Sequence, residues 1–562
     1  MKDFKLLESN GKMTGKKADI KAKQLFVITE FYPPDYAPTG QLIQELVTYL
    51  GQQGNAIKVF TGQPGYAYKQ SKAPSIEWQN GVHVKRTCAV NFWPRRIRGK
   101  LISGFLFFLR AAFYGLKNFQ KEDILLLTTA PAFLPMLGYF FKSLLGLEIS
   151  YVCLIYDLYP DVAVELGVVS PKSWIVKLWD RVNSLTWHNA QQVIVLSSSM
   201  KERILKKHPM LANKIAVIHN WSNPNQIVPI AKSENWFAHQ YKLVEKFTIL
   251  YSGNMGRCHD MYTILEAAYQ LQREPVQFVF IGGGAGYQNC IDTVEAWKLE
   301  NCLFLPYQDR HNITYSLTAC DLSLVSVKFG MEGVIAPSKL YSIMASGRPI
   351  AAICEQHSYL RQMLNQAQCG KTFDNGDGEG LAQFIRQLAS DPQLLQKMGS
   401  ASRNYLTLNF TLAIIAEQYS RALGLSQTSE KRSEVLVGAN IQQGHHPQLI
   451  GQILQQAGLL SALQVNAILE AQTTQYRHLR FGEIAISKGW LKPQTVDFIL
   501  NYVTLANQAL QETSLLLTVE LDEVLQARTN QSKSLRIGEL ALLKGWMNPE
   551  TMNFVLKNAE QV

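Results

Sequence analysis

Three strand-like apolar runs between positions 247 and 353 each meet a turn of glycine or small residues, and two basic side chains, Arg257 and Lys339, stand just beyond. A chain patterned this way is steered toward a parallel α/β sheet that holds an anion at its carboxyl edge. The first run, 247–252, breaks into Gly253, Asn254, Met255, Gly256 and Arg257, and a helical stretch follows over 261–272. The second, 276–281, breaks into Gly282, Gly283 and Gly284. Glycine lets backbone approach a ligand, and the free N–H groups at a helix start attract negative charge. Around the third run lies a Pro-initiated helix opening with Ser338 and Lys339 and closing at Gly347, a start suited to a terminal phosphate. One glycine turn alone is what any strand end needs; three in a single unit point to a diphosphate.

The same alternation extends upstream. A strand over 24–30 runs into a proline-rich loop ending at Thr39 and Gly40, and a helix over 41–51 follows with Leu42, Leu46, Val47 and Leu50 at helical spacing. Further strands read at 56–61, 124–128, 149–156, 192–196 and 215–219, and Phe247 opens the second set. Alternation of this kind predicts two doubly wound parallel sheets. The first domain is expected over 24–225, after a basic tail at 1–23, and the second over 226–423. A linker at 424–448 leads to short helical repeats over 449–562. In the repeats Gly451, Gly482 and Gly538 are each followed by an apolar helix and a second glycine that would cap it.

The turn Tyr-Ser-Gly-Asn-Met-Gly-Arg at 251–257 and the helix Pro-Ser-Lys to Met-Ala-Ser-Gly-Arg-Pro at 337–349 carry a resemblance. Residues 24–423 resemble glycosyltransferase family 4, retaining sugar-nucleotide enzymes of the GT-B fold, and look most like the transferases of capsule, O-antigen and colanic-acid assembly. The resemblance implies two Rossmann-like domains facing a cleft, the first for the acceptor and the second for the nucleotide sugar, with a late helix over 411–423 crossing back to the first. It implies that Arg257 and Lys339 neutralise the departing diphosphate without a metal ion. Gly253, Asn254, Gly256, His259, Gly283, Gly284, Glu332 and Ser338 would contact the donor, and Thr39 and Gly40 would form a phosphate-side loop of the first domain. Two glutamates common in the family are replaced here by Val334 and Ser342, with Glu332 as the stand-in for the first. His259 stands where a lysine is common.

Tyr156, Asp157, Leu158, Tyr159, Pro160 and Asp161 match an Asp-Leu-Trp/Tyr-Pro-Asp/Glu motif of the capsule-type members. Carboxylates at the end of a strand face the cleft in this architecture. Asp157 would orient the acceptor hydroxyl or take its proton, or the departing phosphate would serve as base. The alternative for either aspartate is a helix cap beside Pro160; for Arg257 it is a solvated arginine, and for Thr39 and Gly40 plain turn chemistry.

A chain of 562 residues needs more than one core. Its formal net charge of +11 allows a nucleic acid or an anionic membrane as partner. No nucleic-acid-binding signature accompanies the charge, whereas Arg95, Arg96, Arg98, Lys100 and Arg110 interleave with apolar residues over 93–110, as in an interfacial segment or a core helix with a basic flank. The apolar runs at 101–116 and 131–147 carry Arg110 and Lys142 and are too short to span a bilayer. Eight scattered cysteines without a Cys-x-x-Cys pair fit a reducing cytoplasm and no zinc site. His188, His208 and His219 lack metal-ligand spacing, and no Gly-x-Ser-x-Gly elbow or Walker lysine loop occurs.

The repeats resemble the N-terminal domain of type II secretion and pilus ATPases, whose Arg-Leu-Gly repeats can bind cyclic di-GMP. Arg480-Phe481-Gly482 and Arg536-Ile537-Gly538 match, while Leu449 takes the arginine position in the first copy. Either cyclic di-GMP or a protein partner would be its ligand. The expectation for the whole is a cytoplasmic, peripherally membrane-bound retaining glycosyltransferase with no cofactor. It would move a sugar from a UDP- or GDP-sugar to a lipid-linked or polysaccharide acceptor. The rivals are a GT-B sugar-nucleotide epimerase and a non-catalytic nucleotide-binding scaffold.

Overall fold

The computed structural model describes residues 23–425 apart from 36, 65–72 and 89–96, together with scattered positions between 464 and 490. In the first domain β1 (Gln24–Ile28), β2 (Ala56–Thr61), β3 (Ile76–Gln79), β4 (Val82–Arg86), β5 (Ile124–Thr128), β6 (Ser150–Ile155), β7 (Gln192–Val195) and β8 (Ile215–Val217) form one sheet. Its order is β3-β4-β2-β1-β5-β6-β7-β8, parallel except for β3 against β4. β5 reads Ile-Leu-Leu-Leu-Thr and is buried along its whole length, as a strand covered on both faces must be. The helix Pro38–Gln52 covers one face with Ile43, Leu46, Val47 and Leu50.

The second sheet contains β9 (Phe247–Asn254), β10 (Val276–Gly283), β11 (Cys302–Leu305), β12 (Leu322–Ser326), β13 (Ile350–Ile353) and β14 (Gly370–Phe373). Its order is β11-β10-β9-β12-β13-β14, parallel throughout. After β9 the chain winds outward through β10 and β11, then returns to β12 on the other side, so the winding reverses between β9 and β12. Such a reversal leaves a crevice beyond the carboxyl ends of the two strands. In the first sheet the same reversal falls between β1 and β5.

The two domains share one apolar core that runs from Leu25 and Leu46 through Ile194 and Tyr341 to Tyr419. Arg203, on the helix Ser198–Lys207 of the first domain, gives Nε to Asp161 at 2.9 Å and pairs with Glu165, while its Nη1 donates to the carbonyl oxygens of Gly330 and Glu332 at 3.3 and 3.2 Å. The Leu158 N–H donates to Val334 O at 2.9 Å, and the helix Leu412–Leu423 lies against Pro38–Gln52, with Gln191 Nε2 donating to Ala422 O at 3.3 Å. Asp161 is buried and also accepts from Lys207 at 2.9 Å, so this carboxylate anchors the inter-domain strap.

The C-terminal segment is helical where it is described. Positions 484, 485 and 487 are helical, and the turn closes on Gly489 at φ +70°, with the Trp490 N–H donating to Ala485 O at 2.9 Å. That left-handed cap is the role expected of the second glycine in this repeat. The basic tail at 1–22, positions 93–96 of the basic segment, the linker from 426 and the arginines of the repeats lie outside the described residues.

Candidate active site

β9 ends in the first glycine turn, at the winding reversal. Gly253 has φ +123°, and a β-carbon there would sit 3.4 Å from both Cε and Nζ of Lys339. Lys339 opens the helix Lys339–Ala345, the first helix after β12, and its Nζ lies 3.5 Å from the centroid of the Tyr251 ring. The amine is closed off from solvent and has no hydrogen-bond partner. Burial disfavours its charge and lowers its pKa from 10.5 to about 7. An uncompensated buried amine is costly in a free protein, and an anion at this spot would remove the cost.

His259 belongs to the same group. Its Nδ1 donates to the carbonyl of Ser326, the last residue of β12, at 2.9 Å, so Nε2 carries the free lone pair of the neutral ring. Burial first, and then the Lys339 charge, lower its pKa to about 4. At neutral pH His259 therefore offers a neutral polar edge beside Lys339. Lys339 is the cation of this pocket.

The second glycine turn serves the first. A β-carbon on Gly282 would fall 2.1 Å from Gly253 O, and one on Gly284 would fall 2.1 Å from Asn254 Oδ1, with φ +135° and +131° at the two glycines. Met255 N–H donates to Gly283 O and Gly286 N–H donates to Met255 O, both at 2.7 Å. Asn254, Gly283 and Gly284 thus lock the two turns together, and that packing alone accounts for the glycines. Gly256 follows, with the Asn254 amide 2.9 Å from its virtual β-carbon.

Asp157 follows β6 in the first domain. Thr129, after β5, accepts from the Tyr156 N–H at 3.0 Å and the Asp157 N–H at 3.4 Å. Asp157 is open to solvent yet crowded by protein on several sides, as on the wall of a concave cleft, and this partial desolvation raises its pKa to about 6. Its charge is felt across the cleft. Cys258, next to Arg257 on the first glycine turn, has its thiol pushed up by burial and then by Asp157. Asp157 therefore lies close enough to the turn bearing Gly253 and His259 for its charge to act on Cys258.

Arg257 is exposed on that turn and makes no ion pair among the described residues. Ser338 precedes the Lys339 helix without a side-chain capping bond. Thr39 and Gly40 lie inside the first helical turn, because the helix begins at Pro38 and not at position 41. Gly40 is explained by packing: a β-carbon there would come within 2.9 Å of the Phe31 carbonyl. Glu332 is buried, and Ser358 and Ser199 face its carboxyl, whose pKa burial raises. It belongs to the inter-domain seam, and Val334 and Leu340 around it are buried apolar residues. Tyr251, Cys258 and Thr129 are site residues that sequence reasoning passed over. Tyr251 opens the turn motif and Cys258 follows it, but a strand aromatic and a lone cysteine carry no signal of their own.

The paired sheets and their crevice define a GT-B fold. Residues 232–405, within the second domain, match the family model described as Glycosyl transferases group 1. Along 405 residues, covering 71% of this chain and 96% of the relative, the chain is 25% identical to a probable glycosyltransferase WbjE of Pseudomonas aeruginosa. It is also 25% identical to the putative colanic acid biosynthesis glycosyl transferase WcaI of Escherichia coli, over 66% of this chain and 93% of that one. Among solved structures, Anabaena Alr3699/HepE in complex with UDP and glucose overlays with a TM-score of 0.54 at 16% identity, covering 72% of this chain and 99% of that one.

Proposed function

We propose that the chain is a metal-independent, retaining glycosyltransferase of cell-surface glycan assembly, working in the cytoplasm with a UDP- or GDP-sugar as donor. The observation that carries this reading is the unpartnered Lys339 Nζ, held against Gly253 over the Tyr251 ring where the second sheet reverses its winding. A donor diphosphate in this crevice would recharge Lys339, with Arg257 and the amides of the turn adding positive potential. Relatives named for glycan biosynthesis and a structural neighbour that binds UDP support the donor class.

The acceptor oxygen attacks the anomeric carbon while the bond from that carbon to the β-phosphate oxygen breaks. The hydroxyl proton passes to the departing phosphate on the same face, or to Asp157, and the nucleoside diphosphate leaves. Fixed charge at the leaving group lowers the barrier because it gains strength as the phosphate's charge develops. The acceptor is a lipid-linked or polysaccharide glycan, and the C-terminal repeats are a docking or regulatory module for cyclic di-GMP or a protein.

The test is sugar transfer from UDP- and GDP-sugars to lipid-extract acceptors with the full chain and its Lys339→Ala variant. Transfer that falls about 10²–10³-fold in the variant supports the reading. Donor consumed equally without any acceptor would point to an epimerase, and unchanged transfer would remove Lys339 from the mechanism.

A further inference from the structure

The helix Ile97–Asn118 is apolar on both sides, but only one side is covered. Gly104, Phe107, Ala111 and Gly115 face the sheet, where Gly115 fits directly against Phe141 and Gly104 against Pro131. Phe105, Leu109, Phe113 and Leu116 stand on the opposite side, and Phe113 is 65% exposed. A soluble helix ordinarily turns polar residues outward, and an all-round apolar helix is ordinarily enclosed. Here the outer stripe faces solvent.

Adjoining elements expose apolar side chains as well. Phe119 and Phe141 meet edge to face at 5.1 Å, joining the end of this helix to the turn that carries Leu144 and Leu145, exposed by 64% and 43%. That turn adjoins Met136–Tyr139, which packs on the helix Trp174–Asn189, whose outer side shows Trp174 at 71% and Leu178 at 51%. Exposed apolar side chains gathered on adjoining elements of one folded domain mark an interaction site.

Charge selects the partner. The helix Ile97–Asn118 contains Arg98, Lys100, Arg110 and Lys117 and no acidic residue. Lys172, Lys177 and Arg181 are exposed beside Trp174 and Leu178. The acidic Asp180 there is taken up by Lys207. Among the described residues no helix is long and apolar enough to cross a membrane. We propose that this face of the first domain docks on an anionic phospholipid bilayer, with its aromatic and leucine side chains in the interface and its lysines and arginines on the headgroups. The helix Trp174–Asn189 borders the candidate site: its Asn183 donates to Tyr159 O at 2.7 Å, two residues from Asp157. The face thus brings a lipid surface beside the acceptor-side carboxylate.

The experiment is co-sedimentation of the full chain with vesicles of phosphatidylcholine containing phosphatidylglycerol, against phosphatidylcholine alone, at low and high salt. Binding at least about tenfold tighter to the anionic vesicles and weakened by salt is expected. Phe105→Ser/Phe113→Ser should weaken it at least about tenfold, since two exposed aromatics are lost from the interface without touching the core. Leu408→Ser, an equally exposed change in the second domain, should leave it unaltered. Absence of vesicle binding, or equal binding by the double variant, overturns the proposal. So does a wild-type chain that self-associates through this face, becoming monomeric in the double variant while neither form binds vesicles.

Discussion

Replacing Lys339 by methionine should make the free protein more stable while disabling it. At pH 8 an unfolded lysine, with pKa 10.5, is protonated, whereas the folded amine at about 7 is mostly neutral. Folding therefore strips a proton from a group that is charged when unfolded, a cost of about 3 kcal/mol at pH 8. The Tyr251 ring face, 3.5 Å away, favours the cation and returns up to about 2 kcal/mol. A net penalty of about 1–3 kcal/mol remains. Methionine keeps the stem, carries no charge and packs well on an aromatic ring. Urea unfolding of Lys339→Met at pH 8 should show that gain, and the advantage should grow as pH falls from 10.5 toward 7, then hold constant. That sign follows because only the unfolded lysine takes up a proton in this window. Transfer activity should fall about 10²–10³-fold in the same variant. A variant less stable than the parent at every pH, or as active, would refute the idea that Lys339 is an uncompensated anion-binding amine.

In the free enzyme Asp157 must be ionised, above about 6, and Lys339 protonated, below about 7, so kcat/KM for the donor should form a narrow bell. The alkaline limb of kcat should lie higher, because bound diphosphate holds the lysine charged, and Asp157→Asn, which mimics the protonated carboxyl, should depress transfer across the whole pH range; unchanged transfer would leave the departing phosphate as the base. Gly282→Ala forces a β-carbon to 2.1 Å from Gly253 O at φ +135° and should cost about 3 kcal/mol in urea unfolding, where a loss under 1 would contradict the interlocked turns. Arg203→Ala leaves the buried Asp161 with Lys207 alone and frees two carbonyls, and should lower stability by about 2–4 kcal/mol; Arg203→Lys should recover little of it, because one ammonium cannot span those partners.

β1, β5, β6, β7, β9, β10 and β13 are apolar runs bounded by turns and specify two parallel sheets. The partly buried β2 and β8 were legible by their place in the alternation, whereas β12, Leu-Ser-Leu-Val-Ser, was not, because serines break its apolar run although it is fully buried. The hairpin of β3 and β4 escaped notice, because an edge pair reading Ile-Glu-Trp-Gln and Val-His-Val-Lys-Arg alternates polar residues and resembles a loop. Within the site, Gly253 and Lys339 were singled out by the motifs at 251–257 and 337–349, and the fold brings Lys339 to 3.4 Å from where a β-carbon on Gly253 would sit. Gly40, Gly282 and Gly284 carried the same letter for a different cause, close packing of backbone. The nearness of Asp157 and Cys258 joins residues a hundred positions apart, and only the closing of two domains reveals it.

The central claim is that Lys339 receives the donor's diphosphate. Calorimetric titration of the full chain with UDP and with GDP at pH 8, in buffers of different ionisation enthalpy, counts the protons taken up on binding. Recharging an amine of pKa about 7 predicts ~0.9 proton absorbed per nucleotide bound, and none in Lys339→Met. Tight binding without proton uptake, or the same uptake in the variant, would contradict it.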